Sequence, residues 1–168
     1  MGIGYETYRA YIDALINCTI KEFGEENLLA GALFGSVVRG EARPESDIDL
    51  LFLHRPVGFS PLKKFVHICL DLESGKEFHE LINQGFFPRP SPVFRTEAQL
   101  GENPLILLDL LDHGLILYDP WGRLNNLLEQ FKLALANLGA KKIVLEDGSW
   151  AWDLKPDWKP GEVIEIKL

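Results

Sequence analysis

The sequence predicts an α/β (α+β) domain built on a mixed, twisted sheet, with helices packed mainly on one face. Leu28 to Phe34 and Ile48 to Leu53 are short apolar runs bounded by turn residues, the pattern of strands buried inside a sheet. Between them Ser36-Val37-Val38-Arg39 suffices for a helical turn that Gly40 ends, and Arg43-Pro44-Glu45-Ser46 turns the chain back. The two strands are therefore expected to be neighbours. Amphipathic segments before and after them supply the helices.

Tyr5 to Phe23 carries Tyr8, Tyr11, Ile12, Leu15, Ile16 and Ile20 at helical spacing, and Gly24 stops that helix. After the second strand, Ser60-Pro61 reads as an N-cap and first helical residue, followed by Leu62, Phe65, Val66, Cys69 and Leu70 in helical period. Val66, Ile68, Leu70 and Leu72 also alternate as a strand would; the Ser-Pro entry and the length favour helix. Helix resumes through Phe78, Leu81 and Ile82 after a break near Ser74-Gly75, and Gly85 closes the region. Phe86 to Arg95 reads as extended, and Pro88, Pro90 and Pro92 restrict it to a sheet edge or a strap along one.

Asn103-Pro104 starts a short apolar helix through Leu111 that Gly114 ends; Leu115 to Tyr118 is a brief strand. Leu124 to Leu138 is an amphipathic helix closed by Gly139. Ile143-Val144-Leu145 and Trp150-Ala151-Trp152 flank Asp147-Gly148, a hairpin signal, and the tryptophans there read as a satellite core. Residues 1–139 are expected to form the main domain, with 140–168 a hairpin and tail packed on it.

Composition narrows the function classes. A chain of 168 residues, 46% hydrophobic and 25% charged, has the balance of a soluble globular protein with one core. No apolar run approaches a membrane span, and the N-terminus has no basic-then-apolar signal pattern. Cys18 and Cys69 are far apart and form neither a disulfide framework nor a zinc pattern, so reduced thiols and a cytoplasmic location are expected. A net charge of −8 disfavours general nucleic-acid binding, which needs Lys and Arg to neutralise phosphates.

The chemistry lies in two spacings. Side chains alternate along a strand, so Asp47 and Asp49 project from one face while Ile48 points into the core. Two ionised carboxylates held together repel unless a cation lies between them, and oxygen ligands of this kind suit Mg²⁺. Gly35-Ser36 stands at a strand-to-helix turn, where glycine allows close backbone approach and the first helical N–H groups favour an anion. Together these describe a pocket for a nucleoside triphosphate with Mg²⁺; the bland alternative is a polar turn that solvates a strand end.

The stretch GSVVRGEARPESDIDL, residues 35–50, resembles the signature of the DNA polymerase β-like nucleotidyltransferase superfamily: Gly-Ser, a spacer, then Asp-x-Asp on a strand. Arg39-Gly40 and Ser46-Asp47 make it most similar to the minimal nucleotidyltransferase branch, and Asp153 to Asp157 with Val163 to Ile166 resembles a tail of some prokaryotic members. The resemblance implies the fold of that superfamily and an NTP substrate, ATP first among them. It implies Asp47 and Asp49 as catalytic metal ligands, Gly35 and Ser36 at the β- and γ-phosphates, and nucleotide transfer to a hydroxyl. Arg39 either contacts phosphate or is an ion-paired surface arginine.

Active members of the superfamily add a third carboxylate from a later strand, which completes a two-metal site. The matching segment here, Phe87 to Arg95, has no acid and carries Arg89 and Arg95. Asp71, if Phe65 to Leu72 were a strand, and Glu97 are the sequence's substitutes. Turnover is therefore expected to be weak, or directed to a dedicated partner. The resemblance also implies a second role, an antitoxin-like binding module paired with a small helical protein of the HEPN type.

Overall fold

The computed structural model describes residues 2–102, 104–146, 150–166 and 168. In chain order it contains α1 (Tyr5–Phe23), β1 (Leu28–Phe34), α2 (Ser36–Arg39), β2 (Asp47–His54), α3 (Pro61–Leu72) and α4 (Lys76–Asn83). There follow β3 (Arg89–Arg95), α5 (Glu97–Glu102), a 3-10 turn (Pro104–Ile106), α6 (Leu107–His113), β4 (Leu115–Tyr118), α7 (Arg123–Leu138) and the pair β5 (Lys141–Val144) and β6 (Trp150–Asp153). The main sheet runs β3-β2-β1-β4. β1 pairs antiparallel with β2 and β4, and β2 pairs parallel with β3, so the sheet is mixed and its two apolar strands are adjacent as the sequence predicts.

Helices cover both faces of this sheet, more evenly than an arrangement mainly on one face. The reason is visible in β2, where every residue from Leu50 to His54 is buried. Ile48, Leu50 and Phe52 pack with α1, α3 and α4, while Leu51 and Leu53 pack with α5, α6 and α7. A strand apolar at successive positions has two faces to remove from water, so one helical layer is not enough. A register shift between Leu28 and Ala30 places Leu29 and Ala30 both on the α5–α7 side.

The first layer is fixed by aromatics. Phe94 of β3 stacks on Phe52 (centroids 5.2 Å apart) and on Phe23 (5.6 Å), and Phe65 meets both Phe52 and Phe94 edge-on or tilted. These contacts attach the edge strand β3 to α1 and α3. Pro61 opens α3 behind Ser60, whose Oγ accepts from Lys63 N, so the helical reading of Phe65 to Leu72 holds.

The second layer begins earlier than the sequence reading placed it. α5 starts at Glu97 behind a reciprocal cap in which Thr96 N donates to Gln99 Oε1 (2.9 Å) and Gln99 N donates to Thr96 Oγ1 (3.3 Å). That Thr-x-x-Gln signal stands in the sequence; Asn103, where the helix was expected to start, lies outside the described residues. Asp119 caps α7 by accepting from Leu124 N and Asn125 N. β5 and β6 form the expected antiparallel hairpin, while its Asp147-Gly148 turn lies outside the described residues. Trp152, Leu154, Ile166 and Leu168 pack on the second layer. Trp150 sits under Lys142, whose Nζ is 4.3 Å from its ring.

Among the described residues no helix is long and apolar enough to cross a membrane, and Cys18 and Cys69 are free thiols. Burial, with Glu73 adding to it, pushes the Cys69 thiol up to about 11.

Phe52 is fully buried at the centre of the aromatic cluster, whereas Leu133 on α7 is 64% exposed. Phe52→Ala is expected to cost about 3–5 kcal/mol in urea unfolding, and Leu133→Ala within about 0.5 kcal/mol of zero.

Candidate functional site

β1 and α2 meet at Gly35, and β2 starts beside that junction: Asp49 pairs with Phe34, the last residue of β1. Gly35 has φ 79° and ψ −157°, a conformation nearly confined to glycine. A Cβ there would run into Asp49 Oδ2. The backbone of the Gly35-Ser36 turn is thus closed against the Asp49 carboxylate. Ser36 opens α2, whose buried Val37 anchors this single turn to the first layer.

Asp47 and Asp49 share one face of β2, the face on which Leu51 and Leu53 meet the second layer. Asp47 is exposed and Asp49 half-buried. The Asp49 carboxyl is held above the ordinary 3.8, chiefly by burial, then by Asp47, with Asp109 adding to both. The Ser91 side chain, and less strongly the charge of Arg39, pull the other way. A cation between the two acids would relieve this repulsion.

The structure brings Gly35, Ser36, Asp47 and Asp49 together at one end of the sheet. Arg39 closes α2; its Nε bonds to the exposed Glu41 Oε2 at 2.8 Å, and its charge also acts on Asp49. Neither substitute acid joins the pair. Asp71 lies on α3, which packs on the opposite face of the sheet. Glu97 lies beyond β3 and pairs with Arg123 at 3.5 Å.

In the parallel ladder, Arg89 stands opposite Asp47 and Ser91 opposite Asp49. Arg89 Nε lies 3.4 Å from Asp47 Oδ1. Ser91 and Asp109 escaped the sequence reading, because their nearness to Asp49 depends on strand register and on the placement of α6. Among the described residues no group of three or more His, Cys, Asp or Glu side chains could hold a metal ion. The donor set nevertheless fits a Mg²⁺ that takes its remaining ligands from phosphate oxygens and water, the usual habit of that ion. A groove of about 580 Å³, lined by Glu97, Glu102, Arg123 and Gln130 among others, contains none of these site residues.

The chain is thus a mixed α/β domain with Gly-Ser at the end of one strand and paired acids at the start of the next. Residues 17–113 match the family described as "Nucleotidyltransferase domain", and since they make up more than half of the chain, the protein belongs to that family. The match runs from within α1 to the end of α6 and bears out the resemblance read from residues 35–50. No curated protein matches the chain. Among solved structures it is similar to one titled "Crystal structure of the toxin-antitoxin with AMP-PNP", at 13% identity and a TM-score of 0.44, over 76% of this chain and 92% of that one.

Two predictions follow from the geometry around Asp49. Its raised carboxyl binds a proton more tightly folded than unfolded, so stability falls as pH rises above about 3.8 and stays lower at neutral pH. Asp49→Asn is therefore expected to raise Tm at pH 7 and to lose that advantage in melts below about pH 3.8. Gly35→Ala is expected to cost about 1–3 kcal/mol in denaturant unfolding, with the Asp49 side chain displaced in the variant's structure.

Proposed function

We propose that the chain binds a nucleoside triphosphate, ATP first, together with Mg²⁺, and transfers the nucleoside monophosphate to a hydroxyl acceptor. The observation that carries this reading is the closure of the Gly35 backbone against Asp49, which puts an anion-accepting turn beside a carboxylate pair. Asp47 and Asp49 would hold Mg²⁺, and the Gly35-Ser36 turn would take the β- and γ-phosphates. Bound there, Mg²⁺ would offset phosphate charge and favour ionisation of the acceptor hydroxyl. The acceptor oxygen forms a bond to the α-phosphorus, the bond to the pyrophosphate oxygen breaks, and the hydroxyl proton leaves to solvent or base. Arg39 would reach the phosphates through Nη1 and Nη2, since its bond to Glu41 uses Nε.

Residues 1–139 act as the nucleotidyltransferase domain in this reading and 140–168 as its extension. The free, half-buried Cys18 and Cys69 support a reducing, cytoplasmic setting. Turnover is slow, because β3 supplies Ser91 and Arg89 where a third carboxylate would strengthen a second metal site.

A second reading, an antitoxin-like module paired with a small helical protein of the HEPN type, is favoured by α3. Leu62, Val66 and Leu70 recur every four residues there and are 55%, 47% and 54% exposed, an apolar stripe suited to another helix.

One experiment separates these readings: calorimetry with ATP and Mg²⁺, followed by labelled-nucleotide transfer to the chain itself and to a hydroxyl panel that includes a co-expressed partner. Asp47→Asn with Asp49→Asn is expected to weaken Mg²⁺-dependent binding by at least about tenfold, or 1.4 kcal/mol, without loss of fold. Ser91→Asp, in register with Asp49, is expected to raise transfer. Equal affinity of wild type and double variant refutes the nucleotide site; tight binding without transfer to any acceptor favours the binding module.

A further inference from the structure

Arg89 stands out once the acidic pair is placed. It lies opposite Asp47 in the parallel ladder and on the same sheet face, since Val93, two residues beyond Ser91, packs beside Leu51 in the second layer. Its Nε is 3.4 Å from Asp47 Oδ1, and its Nη1 donates to Glu45 O at 3.5 Å. Both contacts are long, and the two side chains are 63% and 53% exposed. Such a pair is weak and easily exchanged.

Two further arginines, one on α2 and one on β3, make other contacts. Arg39 is bonded to Glu41, and Arg95, at the far end of β3, donates to Phe94 O. The distance along β3 from residue 89 to residue 95 is roughly 20 Å at strand rise.

We propose that Arg89 is an exchangeable counter-cation of this site: it occupies Asp47 in the empty protein and moves to a phosphate of the nucleotide when a divalent ion takes Asp47. The proposal rests on the nucleotide reading of Asp47 and Asp49 given above. A guanidinium and a divalent ion at one carboxylate repel each other, so occupancy by one weakens the other. The displaced guanidinium has a planar fork of donors that matches phosphate oxygens, which a point charge does not. Phosphate also brings the negative charge that β3 does not supply, since Ser91 is neutral. The metal and nucleotide therefore bind with positive coupling, and the metal alone binds poorly.

Arg89 belongs to the exposed start of an edge strand, so its replacement leaves the core intact. The test uses Mn²⁺ as the metal probe, followed by electron paramagnetic resonance, and a non-hydrolysable ATP analogue with Mg²⁺, followed by calorimetry. Arg89→Ala is expected to tighten Mn²⁺ binding in the absence of nucleotide by about threefold to tenfold and to weaken analogue binding by about tenfold, reducing the coupling between them. Arg89→Lys, which keeps the charge and loses the fork, is expected to leave Mn²⁺ affinity low while still weakening the analogue. If Asp47→Asn with Asp49→Asn abolishes Mn²⁺ binding but Arg89→Ala changes neither affinity, the role of Arg89 is overturned and the site stands. If the double Asn variant binds both probes as wild type does, the site itself fails and Arg89 with it.

Discussion

β1 and β2 are covered on both faces, and that constraint decides where polar chemistry can stand. A carboxylate in the middle of either strand would be stripped of water between two helical layers. Only the strand ends emerge, and there β2 begins with Asp47 and Asp49 while β1 gives way to Gly35. The burial gradient along β2 runs from an exposed Asp47 through a half-buried Asp49 to a dry Leu51. One strand thus serves as core at one end and as a site at the other. Its side-chain alternation keeps the two acids on one face through the transition.

The local elements were legible because apolar period and turn chemistry are local properties. α1 ends at Phe23, and Gly24 donates to Ile20 O at its end, as the sequence suggests. The same holds for Ser60-Pro61 at α3 and for Gly139 after α7. Asp47 and Asp49 sharing a face needed only the two-residue repeat of a strand. What could not be read depends on pairing between distant segments. Nothing near Ser91 says that it will lie beside Asp49 rather than one position along, since register comes from Val93 and Phe94 finding their layers. Asp109 is equally silent until α6 is packed. The weight of the second layer was hidden for a related reason: a continuous apolar run shows that a strand is buried, and its Leu51 and Leu53 declare a second layer only when counted face by face.

The aromatic cluster links packing to the site. Phe94 holds β3 against Phe52, Phe23 and Phe65, and the same strand carries Ser91 and Arg89 to the acids. The edge strand is therefore positioned from its dry face while its wet face meets Asp47 and Asp49. Both faces are set by one ladder, so the backbone at neither residue can shift without disturbing the stack, while the exposed Arg89 side chain stays free to move.

The prolines of β3 carry a consequence for how the molecule can assemble. Backbone N–H groups alternate in direction along a strand, and the ladder to β2 is continuous from Arg89 to Arg95. The donors directed toward β2 must therefore come from Ser91, Val93 and Arg95, because Pro90 and Pro92 have none. Along the free margin, only Phe94 of those two prolines and itself retains an N–H to offer. An incoming strand would find almost no donors with which to extend the sheet. Growth by strand addition is closed on this side, and any companion that approaches here must be recognised through side chains or a helical surface.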